Sequence, residues 1–157
     1  MVTLGCSGPV QAVAPEDAAP HLGDEWFAFR ASTLGIAVDE ARARDAAFSE
    51  EEPPPEDVFD RTLAVESAVV WRGLCAACHG LHGDREGAPA MEPEPKRWDT
   101  FGVKMGFTFG GNAMRAGLYR RIRQGGASDG SPSPMPSWKD VLSREQTWGL
   151  VRHIEGF

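Results

Sequence analysis

Cys75-Ala76-Ala77-Cys78-His79 is the stretch on which the reading of this chain turns. Two thiols three residues apart, with an imidazole directly after the second, form the attachment signature for c-type haem. Each thiol can add across one vinyl group of a porphyrin, and the ring of His79 then stands beside the iron as an axial ligand. Cys-x-x-Cys also serves thiol exchange and half of a zinc site, and His82 is near enough to suggest a Cys/Cys/His/His cluster. Zinc is disfavoured because adjacent Cys78 and His79 chelate one small tetrahedral ion awkwardly and no second Cys-x-x-Cys completes a site. A thiol-exchange pair would open a helix after a strand, whereas a helix-like stretch precedes this one.

Further along, Pro134-Met135-Pro136-Ser137-Trp138 offers a sulfur 56 residues after His79. That is enough chain to pass round a porphyrin edge, and the flanking prolines lower the entropy lost in presenting one thioether. Met135 is therefore the expected sixth ligand. Met91 follows His79 too closely, Met105 and Met114 sit in apolar patterns that read as core filling, and Met1 is the start of the chain.

With these motifs in place, the region from about Phe59 to Phe157 resembles a single-haem class I cytochrome c domain. The resemblance rests on Cys75-Ala76-Ala77-Cys78-His79-Gly80, on the Met135-Pro136-x-Trp138 loop, and on the closing segment from Leu142 to Ile154 with Trp148, Leu150 and Val151. Gly83-Asp84-Arg85-Glu86-Gly87 and the prolines at 89, 93 and 95 also match its pattern. It implies an all-α class I cytochrome c fold, three main helices around one covalent haem c, with an irregular N-terminal arm. It also implies that the carbonyl of Pro89, Pro93 or Pro95 accepts the Nδ1 proton of His79, which fixes the tautomer.

The chain divides at Pro53-Pro54-Pro55, giving an arm over 1–57 and a haem domain over 58–157. Net charge is −7, but the arm carries twelve acids against three arginines, leaving the remainder at +2. An acidic chain without a recognition motif excludes nucleic acid as a partner, and no stretch reaches the apolar length of a membrane helix. In the arm, Trp26, Phe27, Phe29, Leu34, Ile36 and Val38 form an apolar patch, with a short helix expected from Asp39 to Phe48. The patch packs either on the haem domain or on a partner. Cys6, in Leu4-Gly5-Cys6-Ser7-Gly8, resembles a lipoprotein attachment site, though Thr3 stands where a larger apolar residue is usual and no signal region is visible. It is read as a lipidation site preceded by a longer leader, with an unpaired thiol as the alternative.

Helices are expected over Asp57–Leu74, over Asn112–Gln124 stopped by Gly125 and Gly126, and from Ser143 with Gln146 completing a capping box. Ser67 and Ala68 are expected to meet Trp148. Alternation of Phe101, Val103, Met105, Phe107 and Phe109 fits a strand by period, but the resemblance favours an extended loop over the lower haem edge. Arg115, Arg120, Arg121 and Arg123 read as a solvated helix face, with haem propionates or an acidic partner as alternatives. Trp98 either donates to a propionate or packs.

Together these features predict a one-electron carrier rather than an enzyme, with redox proteins as partners. The expected setting is a respiratory or photosynthetic membrane complex in the bacterial periplasm or on the outer face of the cytoplasmic membrane. Membrane association would be indirect or through lipid on Cys6. A diffusing shuttle, a haem enzyme or gas sensor with an open axial site, and a zinc-binding module are the alternatives.

Overall fold

The computed structural model describes residues 15–130 and 132–157; Cys6 and its lipidation motif lie outside them. Six helices and no strand occur among the described residues. The arm, expected to be irregular, forms α1 (Asp24–Leu34) and α2 (Val38–Ala47), joined through Gly35, whose left-handed conformation ends α1. The short helix foreseen from Asp39 corresponds to α2.

After a 3-10 turn at Glu56–Val58, α3 (Arg61–Val70) begins where the Asp60 carboxylate accepts the Leu63 N–H at 2.9 Å. That cap satisfies one of the donors a helix start leaves open. A π-helical turn, Trp71–Cys75, leads directly into α4 (Ala76–His79). The single helix expected over Asp57–Leu74 is thus a 3-10 turn, an α-helix and a wider turn. α5 (Phe101–Gln124) is bent at Gly111, and α6 (Arg144–Glu155) opens with the foreseen Ser143/Gln146 capping box.

α3 and α6 form the central pair, with α5 packed on α6. The close approach of α3 and α6 is made at Gly149, where a Cβ would stand 2.4 Å from the Ser67 hydroxyl and 3.0 Å from Leu63. Trp148 stacks on Tyr119 of α5, ring centroids 4.3 Å apart.

The arm lies on this pair. Arg30 donates to the Glu145 carboxylate through Nε and Nη2, the latter at 2.7 Å, and through Nη1 to Asp60 at 2.6 Å. Asp45 accepts the backbone N–H groups of Arg144 and Glu145, placing a negative charge at the positive end of α6. Glu66 accepts from the His21 backbone, and Trp148 donates its indole N–H to the Ser49 carbonyl at 2.8 Å. Of the apolar patch, Trp26 is fully buried beside Phe29, while Val38 stays 39% exposed.

The segment 101–109 is helical, not an extended loop. Phe101 is 76% and Phe109 80% exposed, whereas Val103 and Phe107 are 7% and 4% exposed. Alternation arose here from two apolar stripes on nearly opposite sides of one helix, which sampling every second residue visits in turn. None of these residues lines the cavity described next.

Candidate functional site

Cys75, Cys78, His79 and Met135 all line one cavity of about 510 Å³, mostly apolar in its lining. The size is that of a site for a small molecule or cofactor. Its walls follow from helical periodicity. Trp71, Leu74, Cys75 and Cys78 recur at three- and four-residue spacing, and so do Ala113, Met114, Gly117, Leu118 and Arg121 on α5. Leu150 and Ile154 of α6 and the loop from Met91 to Trp98 close the remainder.

Burial holds the His79 imidazole below its ordinary value, against the Lys96 carbonyl, which favours a proton, and with help from the charge of Arg85. Nδ1 donates to the Lys96 carbonyl at 3.1 Å. The expectation of a proline carbonyl is corrected by one residue: the acceptor follows Pro95. This bond leaves Nε2 with its lone pair, the form in which imidazole binds a metal. Trp71 and Trp98 flank the ring at centroid distances of 5.8 and 6.3 Å. Trp98 is a packed residue whose backbone N–H donates to the Gly83 carbonyl at 2.8 Å.

The turn after His79 is set by Gly80, whose φ of +79° and crowding favour glycine. A Cβ there would stand 2.3 Å from Asp84 Oδ1 and 2.6 Å from the Arg85 nitrogen. Arg85 N–H donates to the His79 carbonyl at 2.8 Å, so the chain turns back at once after His79.

The Met135 loop is held by backbone at the C-terminal end of α5. Gly126 N–H donates to the Met135 carbonyl at 2.9 Å, Trp138 N–H to the Ile122 carbonyl and Ser137 Oγ to the Arg123 carbonyl. The bonds to Ile122 and Arg123 occupy carbonyls that the end of α5 leaves without internal partners. Gly125, with φ +83°, lies so close that a Cβ would meet Ser137 N at 2.9 Å and Met135 O at 3.0 Å. The two glycines that end α5 also seat the methionine loop, a role only the packed fold shows.

Cys75 and Cys78 are both thiols here, and burial, reinforced by Cys78, pushes the Cys75 thiol up to about 12. Met91 and Met114 also line the cavity, whereas Met105 does not. Of the four arginines only Arg121 reaches it, and its guanidinium donates to the Gly126 carbonyl. Arg115 pairs with Glu155, and Arg123 donates to the Leu142 carbonyl at 2.8 Å. His82 is exposed and away from the cavity, and among the described residues no group of three or more His, Cys, Asp or Glu gathers for a metal ion. Paired thiols, an imidazole with one nitrogen already committed, a thioether and an apolar lining suit a covalently held haem.

Comparison with known proteins gave no match among curated proteins or solved structures. The family model described as cytochrome C oxidase, cbb3-type, subunit III, matches residues 63–154, from α3 through nearly all of α6 and including every residue of the candidate site. That match spans more than half of the chain, which belongs to the family of subunit III of cbb3-type cytochrome c oxidase.

Proposed function

We propose that this chain passes single electrons within a cbb3-type oxidase by means of one haem c, attached through Cys75 and Cys78 and ligated by His79 and Met135. Membership of the family makes it an electron-carrying component of a respiratory complex rather than a catalyst in its own right. No helix among the described residues is long and apolar enough to cross a membrane, which accords with a place at the membrane surface or in the periplasm.

The observation that carries the proposal is the convergence of the two thiols, the oriented imidazole and the thioether on one apolar cavity. Bound there, the haem would supply a one-electron iron couple. The chain's own part is to hold ligands and exclude water. Lys96 fixes the imidazole through its carbonyl, the Gly125-Gly126 backbone seats the thioether loop, and Trp71, Leu118, Leu150 and Ile154 keep the interior apolar. An apolar surround disfavours added positive charge on the metal, and a thioether raises the potential above that of a bis-histidine site.

A pyridine haemochrome spectrum of the protein from a host competent in cytochrome maturation tests the attachment. Two thioether links shift the visible band from that of haem b, and colourless material would refute the proposal. Met135→Ala is expected to abolish the near-infrared sulfur-to-iron band and lower the potential, and to open the reduced protein to carbon monoxide. A band that survives in Met135→Ala would move the ligand to Met91 or Met114.

A further inference from the structure

Among the described residues, the first half of α5 has an apolar face left largely uncovered at Phe101 and Phe109. Phe101, Met105 and Phe109 stand at four-residue steps, so with 3.6 residues per turn they form one stripe about 12 Å long. Val103 and Phe107, on the other side, are buried in the domain, so the exposed stripe is additional to what the core requires. Lys104 flanks the stripe, and no acidic residue lies anywhere in the helix. From Lys96 to Gln124 the chain carries seven Lys and Arg against the single acid Asp99.

We propose that this face is a membrane-surface docking site, with Phe101 and Phe109 entering the interfacial region of an anionic bilayer. Two features select that occupant. Aromatic rings beside cations, with acids absent from the helix, match the chemistry of an anionic lipid interface. The area is also wrong for a stable protein partner: two phenylalanines and a half-covered methionine offer about 300–400 Å², whereas a stable protein interface takes about 800 Å² from each side. Beyond the bend at Gly111, Ala113 and Met114 of the same helix line the cavity, and Met114 packs over Gly106 on the stripe-bearing half. Docking by this face therefore sets the orientation of the cavity to the membrane plane.

The test uses the full chain carrying Cys6→Ser, so that no acyl chain can act as anchor. It is co-sedimented with vesicles of phosphatidylcholine alone and of phosphatidylcholine with phosphatidylglycerol. Binding to the anionic vesicles is expected, weakened by salt, and reduced about tenfold or more in Phe101→Ser/Phe109→Ser. Far-ultraviolet circular dichroism checks that the exposed substitutions leave the fold intact. Absence of binding, or equal binding by the double variant, overturns the proposal. A homodimer, or retention on the detergent-solubilised oxidase, that depends on the two phenylalanines would equally overturn it, by assigning the face to a protein. The stripe holds no proposed haem ligand, so the haemochrome spectrum stands or falls separately.

Discussion

Arg30→Met tests how the arm is attached to the domain. Arg30 and Glu145 are 2% and 4% exposed, and the carboxylate takes three hydrogen bonds from the guanidinium at 2.7 to 3.1 Å. Removing the cation strands a buried carboxylate, which costs about 3–5 kcal/mol. For a domain of this size that is a fall in Tm of roughly 6–20 °C. Burial already raises the Glu145 carboxyl above its ordinary value against the pull of Arg30, and losing that pull raises it further. The folded variant then binds more protons than its unfolded chain above the usual carboxylate range, so its stability falls as pH rises. The deficit is expected to be smaller at pH 5 than at pH 8. Arg30→Met/Glu145→Met, with both charges gone, should recover most of the loss, since Asp60 is partly exposed and can be hydrated. Urea unfolding of the four proteins of the cycle, at both pH values, measures the coupling. A single variant within about 1 kcal/mol of the parent, with no coupling in the cycle, would refute the buried pair as the arm's attachment.

Gly149→Ala would ordinarily strengthen a helix by about 1 kcal/mol, but with Ser67 Oγ 2.4 Å from the new Cβ it should instead cost about 1–3 kcal/mol. Ser67→Ala in the same chain should return part of that loss in urea unfolding. Tyr119→Phe should be neutral or stabilising by up to about 1 kcal/mol, because the buried hydroxyl has no hydrogen-bond partner among the described residues; clear destabilisation would reveal one. Burial pushes His153 down to about 4, so the unfolded chain takes up the proton first as pH falls. Stability is then full above about pH 6.5 and declines toward pH 4 by at most about 3 kcal/mol. His153→Leu should flatten that part of the pH profile relative to the parent, and an unchanged profile would contradict the burial. Gly126→Ala places a Cβ 1.9 Å from Ser133 Oγ and 3.1 Å from the Met135 Cβ, and should weaken the near-infrared band while leaving the haemochrome spectrum intact.

What could be read from the sequence was what is local in the sequence. The Cys75–His79 motif, the Met135 loop and the Ser143/Gln146 cap each declare themselves within a few residues, and the cap is formed as read. The arm was harder because its buried faces are partly polar. In α1 the position one turn after Trp26 is Arg30, and in α2 the position one turn after Ala41 is Asp45. Neither helix therefore shows an apolar stripe, although both bury a defined side. The acceptor for His79 lay one residue beyond the expected prolines because the choice of carbonyl depends on how the 91–98 loop is threaded, and composition does not encode that register. The helix at 101–110 was misread for the opposite reason, an apolar stripe too many.

The family match begins at Leu63, and among the described residues none before Trp71 lines the cavity. Most polar contacts of the described arm fall instead on α3, α6 or the turn before α3, with Arg30 on Glu145 and Asp60, Asp45 on the start of α6, His21 on Glu66 and Ser49 on Trp148, while the Pro15 carbonyl accepts from Arg72 in the π-helical turn. The arm thus braces the helix pair from which the motif helix and the cavity floor extend, and none of its described residues lines the cavity. It follows that Arg30→Met, however much it lowers Tm, should leave the near-infrared band of the folded protein unchanged, whereas Gly126→Ala should alter the band at a smaller cost in stability. If Arg30→Met shifted the band at temperatures where the fold is intact, support and site would be mechanically coupled through α6, and the arm would have to be counted among the elements that set the ligand field.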